Sequence, residues 1–270
     1  MAAETVMTDP LPPHLPRDAR ESARAGGKPV LPKRFYREAA AQEREGGFAI
    51  LLDGKPVSTP GRRRVLLPNA ALAELVVAEW AGQGALIDPA TMPVTRICNS
   101  AIEGVADEME AVADEIVRFA GSDLMCYRAG EPASLVAAQA QAWDPVLDWA
   151  REKLGARLML AQGIVHVAQL PEALAAVRAG LARCAGADTS APFRLAALSV
   201  ITSLTGSALL ALQCGEGGCT PEQAWAAAHV DEDFQAKMWG PDEEAQARRA
   251  ARWQDMAAAG QVLASLTTSG

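Results

Sequence analysis

The texture of this chain changes at Pro68. Before it, short apolar runs are interrupted by turn residues. After it, apolar residues recur at helical spacing almost to the end. This pattern constrains the chain to a small β-containing part followed by a larger helical one, because strand and helix periods bury different faces. Half of the residues are hydrophobic, aromatics make up only 5%, and alanine is abundant, a mixture that favours helix over strand. The expected fold class is α+β: a small antiparallel β-rich N-terminal domain followed by a larger all-helical C-terminal domain.

Residues 1–31 read as a disordered leader. Pro10, Pro12, Pro13, Pro16 and Pro29 lie there among charged and small residues, and such a segment cannot bury enough apolar surface to offset its chain entropy. Residues 32–88 read as the small β-rich domain with a helix. Arg34 to Arg37 alternates weakly, as a strand would. Phe48 to Leu52 is a second strand, and Asp53-Gly54 signals a two-residue hairpin because glycine tolerates positive φ. Lys55 to Ser58 and Val65 to Leu67 follow as further strands. Asn69 then caps a helix carried by Leu72, Leu75, Val76 and Trp80.

Residues 89–270 read as the helical domain. Asp144-Pro145 restarts a helix, with Asp as cap and Pro at its first position. Leu158 to Val167 reads as a short strand and loop. Thr220 with Gln223 forms a capping box, opening a helix that runs on to Gly240. Pro241 starts the last one.

The formal net charge of -8 argues against generic nucleic-acid binding, which needs clustered basic residues. The five cysteines, Cys98, Cys126, Cys184, Cys214 and Cys219, are odd in number and irregular in spacing. They read as reduced thiols. No run reaches the ~18 apolar residues of a membrane span, and the N-terminus lacks a secretory apolar stretch, so the expected location is the cytoplasm. His14, His166 and His229 pair with no cysteine at a zinc spacing, so no metal is expected. No phosphate-binding loop or nucleophile elbow occurs. Gly215-Glu216-Gly217-Gly218 carries an acid where a phosphate would bind and reads as an interhelical loop. No cofactor is expected.

One segment resists the bland reading: V-D-E-D-F-Q-A-K-M-W-G, Val230 to Gly240. In an unbroken helix from Thr220, one face reads Trp225, Ala228, His229, Glu232, Gln235, Ala236 and Trp239. Ala227, Val230, Phe234 and Met238 form a second. A helix apolar on two sides is usually buried, and an acid sharing that stripe needs a partner or a function. Glu232 is therefore either held by an internal partner, such as His229 or a distant Arg, or part of a functional surface. The consecutive acids Asp231, Glu232 and Asp233 fan around the helix, whereas general acid–base pairs converge. The absence of visible catalytic apparatus favours binding.

Four motifs in the same order carry a resemblance. They are E-W at Glu79-Trp80, R-I-C-N-S from Arg96, M-C-Y-R-A-G-E-P-A-S-L-V from Met125 with Q-A-W-D-P-V-L-D-W-A from Gln141, and the Glu232 segment. Over Pro32 to Leu266 the chain resembles the assembly chaperones of the soluble catalytic sector of F-type ATP synthase that act on its alpha subunit. The resemblance implies the two-part fold and a non-enzymatic role: binding the free alpha subunit and shielding its beta-facing surface until assembly. It implies a functionally critical acid at Glu232 and a substitution-sensitive tryptophan at Trp80. The candidate partner-binding residues are Glu232, Trp80, Asp231, Gln235 and Trp239. A bacterial protein, monomeric when free, is expected, since the leader does not resemble an import sequence. The competing expectation is a small-molecule enzyme with its site between the two domains and Glu232 as general base.

Overall fold

The computed structural model describes residues 31–240 and 242–267; the expected leader lies almost wholly outside them, as do His14 and Pro241. The α+β expectation holds, with a small antiparallel sheet followed by a region of helices. Strand β1 (Ala39–Arg44) pairs antiparallel with β2 (Gly47–Leu52) along its full length, Ala39 opposite Leu52 and Arg44 opposite Gly47. Along the other edge of β2 lie two short strands end to end, β3 (Lys55–Pro56) and β4 (Leu66–Leu67). The Asp53-Gly54 hairpin forms, both residues at positive φ. The Asp53 carboxylate also accepts from the Arg37 and Glu38 amides at 3.0 and 2.9 Å. Gly47 is required for close approach: a Cβ there would meet the Leu67 carbonyl oxygen at 2.3 Å.

Arg34 to Arg37 is not a strand. The Arg34 guanidinium donates to the carbonyls of Tyr36, Arg37 and Ala81, and its amide donates to the Ala85 carbonyl. These bonds fix the segment to the end of the first helix. The strand lies a few residues later, in A-A-A-Q-E-R, whose strand character comes from pairing with β2 rather than from its own residues.

Ten α-helices follow among the described residues: α1 (Ala70–Ala81), α2 (Pro93–Ser100), α3 (Met109–Ala120), α4 (Ala133–Trp149), α5 (Pro171–Ala185), α6 (Ala191–Thr205), α7 (Ala208–Gly215), α8 (Pro221–Ala228), α9 (Val230–Trp239) and α10 (Glu243–Ser265). Asn69 caps α1 as expected, its side chain accepting from the Leu72 amide at 2.9 Å. α6 is the central helix, packed by α2, α3, α7 and α10. One continuous apolar core runs from Ile50 and Leu67 in the sheet, through Leu72 and Val76 of α1, to Val262 and Leu266 at the C-terminal end. A two-residue parallel pairing joins β5 (Tyr127–Arg128) to β6 (Ala161–Gln162).

Two helical expectations are corrected. The chain does not restart at Asp144-Pro145. α4 runs straight through Pro145, then widens into a π-helical turn at Ala150–Leu154. Asp144 pairs with Arg128 at 2.7 Å instead of capping, and fully buried Trp143 anchors the helix across the proline. The helix from Thr220 to Gly240 is likewise two helices, α8 and α9, broken at His229.

Candidate functional site

The capping box that opens α8 forms as its sequence predicts. Thr220 Oγ1 accepts from the Gln223 amide at 3.3 Å, and Gln223 Oε1 from the Thr220 amide at 2.9 Å. α8 buries Ala224, Trp225 and Ala227. At its end His229 leaves the helical region, with φ -113° and ψ 22°. Its Nδ1 donates to the Trp225 carbonyl at 2.8 Å. The imidazole lies 4.0 Å from the Trp225 ring, which meets Trp253 at 5.6 Å. Burial in this aromatic cluster holds the His229 pKa below its ordinary value, so the ring stays neutral near pH 7.

The break at His229 redirects α9, which has no fully buried residue. The stripe from Trp225 through Glu232 to Trp239 is therefore not one face, and Glu232 does not sit among buried tryptophans. The three acids take three different positions. Asp231 Oδ1 accepts from Gln139 Nε2 at 2.7 Å. Gln139 is a buried amide of α4 whose Oε1 accepts from the Ala129 amide at 2.8 Å. Asp233 forms an ion pair with Arg249 of α10. Glu232 is exposed, and its carboxylate takes part in no hydrogen bond or ion pair among the described residues. Gln235 is exposed beside it. Beyond them Met238 is 62% and Trp239 86% exposed. Phe234 and Val230, half-buried, line a shallow cleft of ≈ 360 Å³ with Ala138, Gln141 and Ala142 of α4.

The residues that fix the end of α8 and the helices around it fall largely within the four sequence motifs. Trp143 Nε1 donates to the Ala227 carbonyl at 2.7 Å, one residue before Ala228 and the hinge. Arg128 lies over the Trp143 ring at 5.2 Å, and its Nε donates to the Met125 carbonyl at 3.0 Å. Arg96 pairs with Asp255, tying α2 to α10. Glu79 caps α2, which lacks a side-chain cap of its own. Its carboxylate accepts from the Val94 and Thr95 amides, both at 2.7 Å, and from Thr95 Oγ1 at 2.6 Å. Burial raises the Glu79 pKa, with these bonds opposing the rise.

Trp80 stands apart from α9, at the end of α1 against the sheet. Its carbonyl accepts from Tyr36 Oη at 2.7 Å, and the two rings meet edge to face at 5.6 Å. It lines a cleft of ≈ 400 Å³ with Phe35, Tyr36, Leu52 and Val57. Of the five candidate residues the structure thus groups Glu232, Gln235 and Trp239 on the exposed part of one helix. It ties Asp231 inward and leaves Trp80 elsewhere. Sequence reading missed Gln139, Arg249 and Trp253, because nothing local connects residues so distant along the chain. The short strand and loop expected over Leu158 to Val167 form, with β6 at Ala161–Gln162, but the exposure of the loop's apolar residues, Ile164 at 97% and Val165 at 73%, was not anticipated. Among the described residues no group of three or more His, Cys, Asp or Glu side chains is placed to hold a metal, and no helix is long and apolar enough to cross a membrane.

The fold as a whole, a small sheet joined to a helical body, is shared with solved structures of one class. The chain superposes with a TM-score of 0.83 on the Atu1473 protein of Agrobacterium tumefaciens, at 51% identity over 88% of this chain and 87% of that one. It matches Atp12 from Paracoccus denitrificans with a TM-score of 0.80, at 40% identity over 87% of this chain and 99% of that one. In sequence it is 24% identical over 225 residues to the mitochondrial protein atp12 of Schizosaccharomyces pombe, covering 79% of this chain and 75% of that protein. Residues 33–151 match the family described as ATP12 chaperone protein. The chain belongs to the ATP12 chaperone family.

Proposed function

We propose that this protein is an assembly chaperone for the soluble catalytic sector of F-type ATP synthase. Its client is the free alpha subunit, whose beta-facing surface it covers until assembly. The observation that carries this reading is α9: an unpartnered, exposed Glu232 followed by exposed Met238 and Trp239. Large exposed apolar side chains grouped with a free charge mark protein-binding surfaces, and tryptophan is a frequent anchor of such interfaces. An arginine of the client would pair with Glu232 once both are desolvated, and truncating one partner of such a pair costs ~2–5 kcal/mol of binding. The rival reading of Glu232 as a general base requires it to converge with His229 and arginines on a polar pocket. His229 is instead committed to the Trp225 carbonyl, Arg249 to Asp233, and neither Glu232 nor His229 lines the nearby cleft, whose polar residues are Gln141, Asp233 and Lys237.

The test is retention of the alpha subunit by the immobilised protein. Glu232→Lys is expected to abolish retention while its melting temperature stays within about 2 °C of the parent, as for a surface substitution. Retention by the variant, or its unfolding, overturns the assignment of Glu232. The bacterial cytoplasm is the proposed place of action, supported by the bacterial sources of the two solved relatives. The free protein is proposed to be a monomer, which gel filtration checks.

A further inference from the structure

We infer that Cys214 and Cys219 form a redox-active dithiol that a peroxide converts into an intramolecular disulfide. The two sulfurs lie 3.3 Å apart at the turn between α7 and α8. Both residues are partly exposed, so an oxidant has access. A disulfide needs a sulfur separation of about 2.05 Å, so the atoms must close by a little over an ångström. The intervening Gly215-Glu216-Gly217-Gly218 segment, with Gly217 at φ 71°, contains three glycines that can absorb that movement. The other three cysteines are differently placed. Cys98 and Cys126 are buried in the core, and Cys184 has a thiol pushed up to about 11 by burial.

The two thiols are also unequal. The contact between the sulfurs, in which either can donate, lowers the Cys219 pKa and raises that of Cys214, and the proposed step has Cys219 as the attacking thiolate. It attacks one peroxide oxygen, forming a sulfenic acid and releasing hydroxide, which takes up a proton. The Cys214 sulfur then attacks the sulfenic sulfur, and the hydroxyl leaves as water with the Cys214 proton. The balance is two thiols and one peroxide giving one disulfide and two waters.

The experiment uses the full, reduced chain treated with hydrogen peroxide, then alkylated and digested with trypsin. Both cysteines fall in the single peptide Leu195–Lys237, so the disulfide appears as loss of two hydrogens and of both alkylation sites from that peptide. The expected result is a fall from five alkylatable thiols to three, reversed by dithiothreitol. Cys219→Ser and Cys214→Ser each leave the remaining member of the pair alkylatable or singly oxidised. Sulfoxide formation at the exposed Met238 reports that the oxidant dose was sufficient. If Met238 is oxidised while both thiols of the pair stay alkylatable, or if Cys219 goes to sulfinic acid without the paired loss, the inference is overturned.

Discussion

Asp123 is fully enclosed at the start of α7, where its two oxygens accept from the Met125 and Leu209 amides, each at 3.2 Å. Burial pushes its carboxyl up to about 6, against the pull of the Ser207 hydroxyl and these amides. Since the folded pKa exceeds the unfolded one, the folded state binds the extra proton between about pH 4 and 6. Its contribution is therefore fully present below about pH 4 and is lost as pH rises through 6, a change of about 3 kcal/mol. Urea titrations across that window are expected to show the parent gaining stability relative to Asp123→Asn as pH falls. A second contrast lies within the acidic triplet. Asp231→Ala leaves the buried Gln139 amide unpaired, so it is expected to cost about 1–3 kcal/mol. Glu232→Ala, with no partner to lose, is expected to stay within about 0.5 kcal/mol. Equal losses for the two would contradict the geometry.

At the scale of elements, the hinge between α8 and α9 depends on Trp143. Trp143→Phe keeps most of the packing but strands the Ala227 carbonyl, at an expected cost of about 1–3 kcal/mol. Trp143→Ala also opens a cavity, and is expected to cost about 3–5 kcal/mol; thermal melts of the two variants give the comparison. This element also shows where reading the sequence succeeds and where it stops. Thr220 with Gln223, Asp53-Gly54 and Asn69 are local signals, and each forms the structure its chemistry dictates. The break at His229 has no local signal. Nothing in A-A-H-V-D forbids a helix, and the turn is set by His229 packing on Trp225 and by Trp143 holding Ala227 from another helix. Asp144-Pro145 misleads for the same reason: Arg128 and the core claim Asp144 and Trp143 from outside the helix. The candidate site was legible as a segment, since Glu232 and Trp239 stood out as residue types in an odd pattern. Its exposure was not, because exposure depended on that distant packing.

For the whole molecule, the main apolar core links the sheet to the helical body, with a smaller cluster of Tyr36, Leu52, Ile87 and Met92 beside it. Contacts of this kind across the division into residues 32–88 and 89–270 lead us to expect the described protein to unfold in one transition. Urea denaturation followed by tryptophan fluorescence and by circular dichroism should give coincident curves; separated curves would establish two independent domains. A fragment beginning at residue 89 would expose the core partners of Leu72 and Val76 and is expected not to fold alone. The cap that Glu79 lends to α2 adds a consequence for the order of events. α2 and the π-helical turn Ala101–Val105 that continues it are short, marginal as an isolated helix, and the first turn of α2 is completed by a side chain from another helix. We expect α2 to be completed only once α1 has docked against it, so that its formation is coupled to that of the N-terminal part. A Glu79→Gln variant that slows refolding as strongly as it lowers stability would place this contact in the folding transition state.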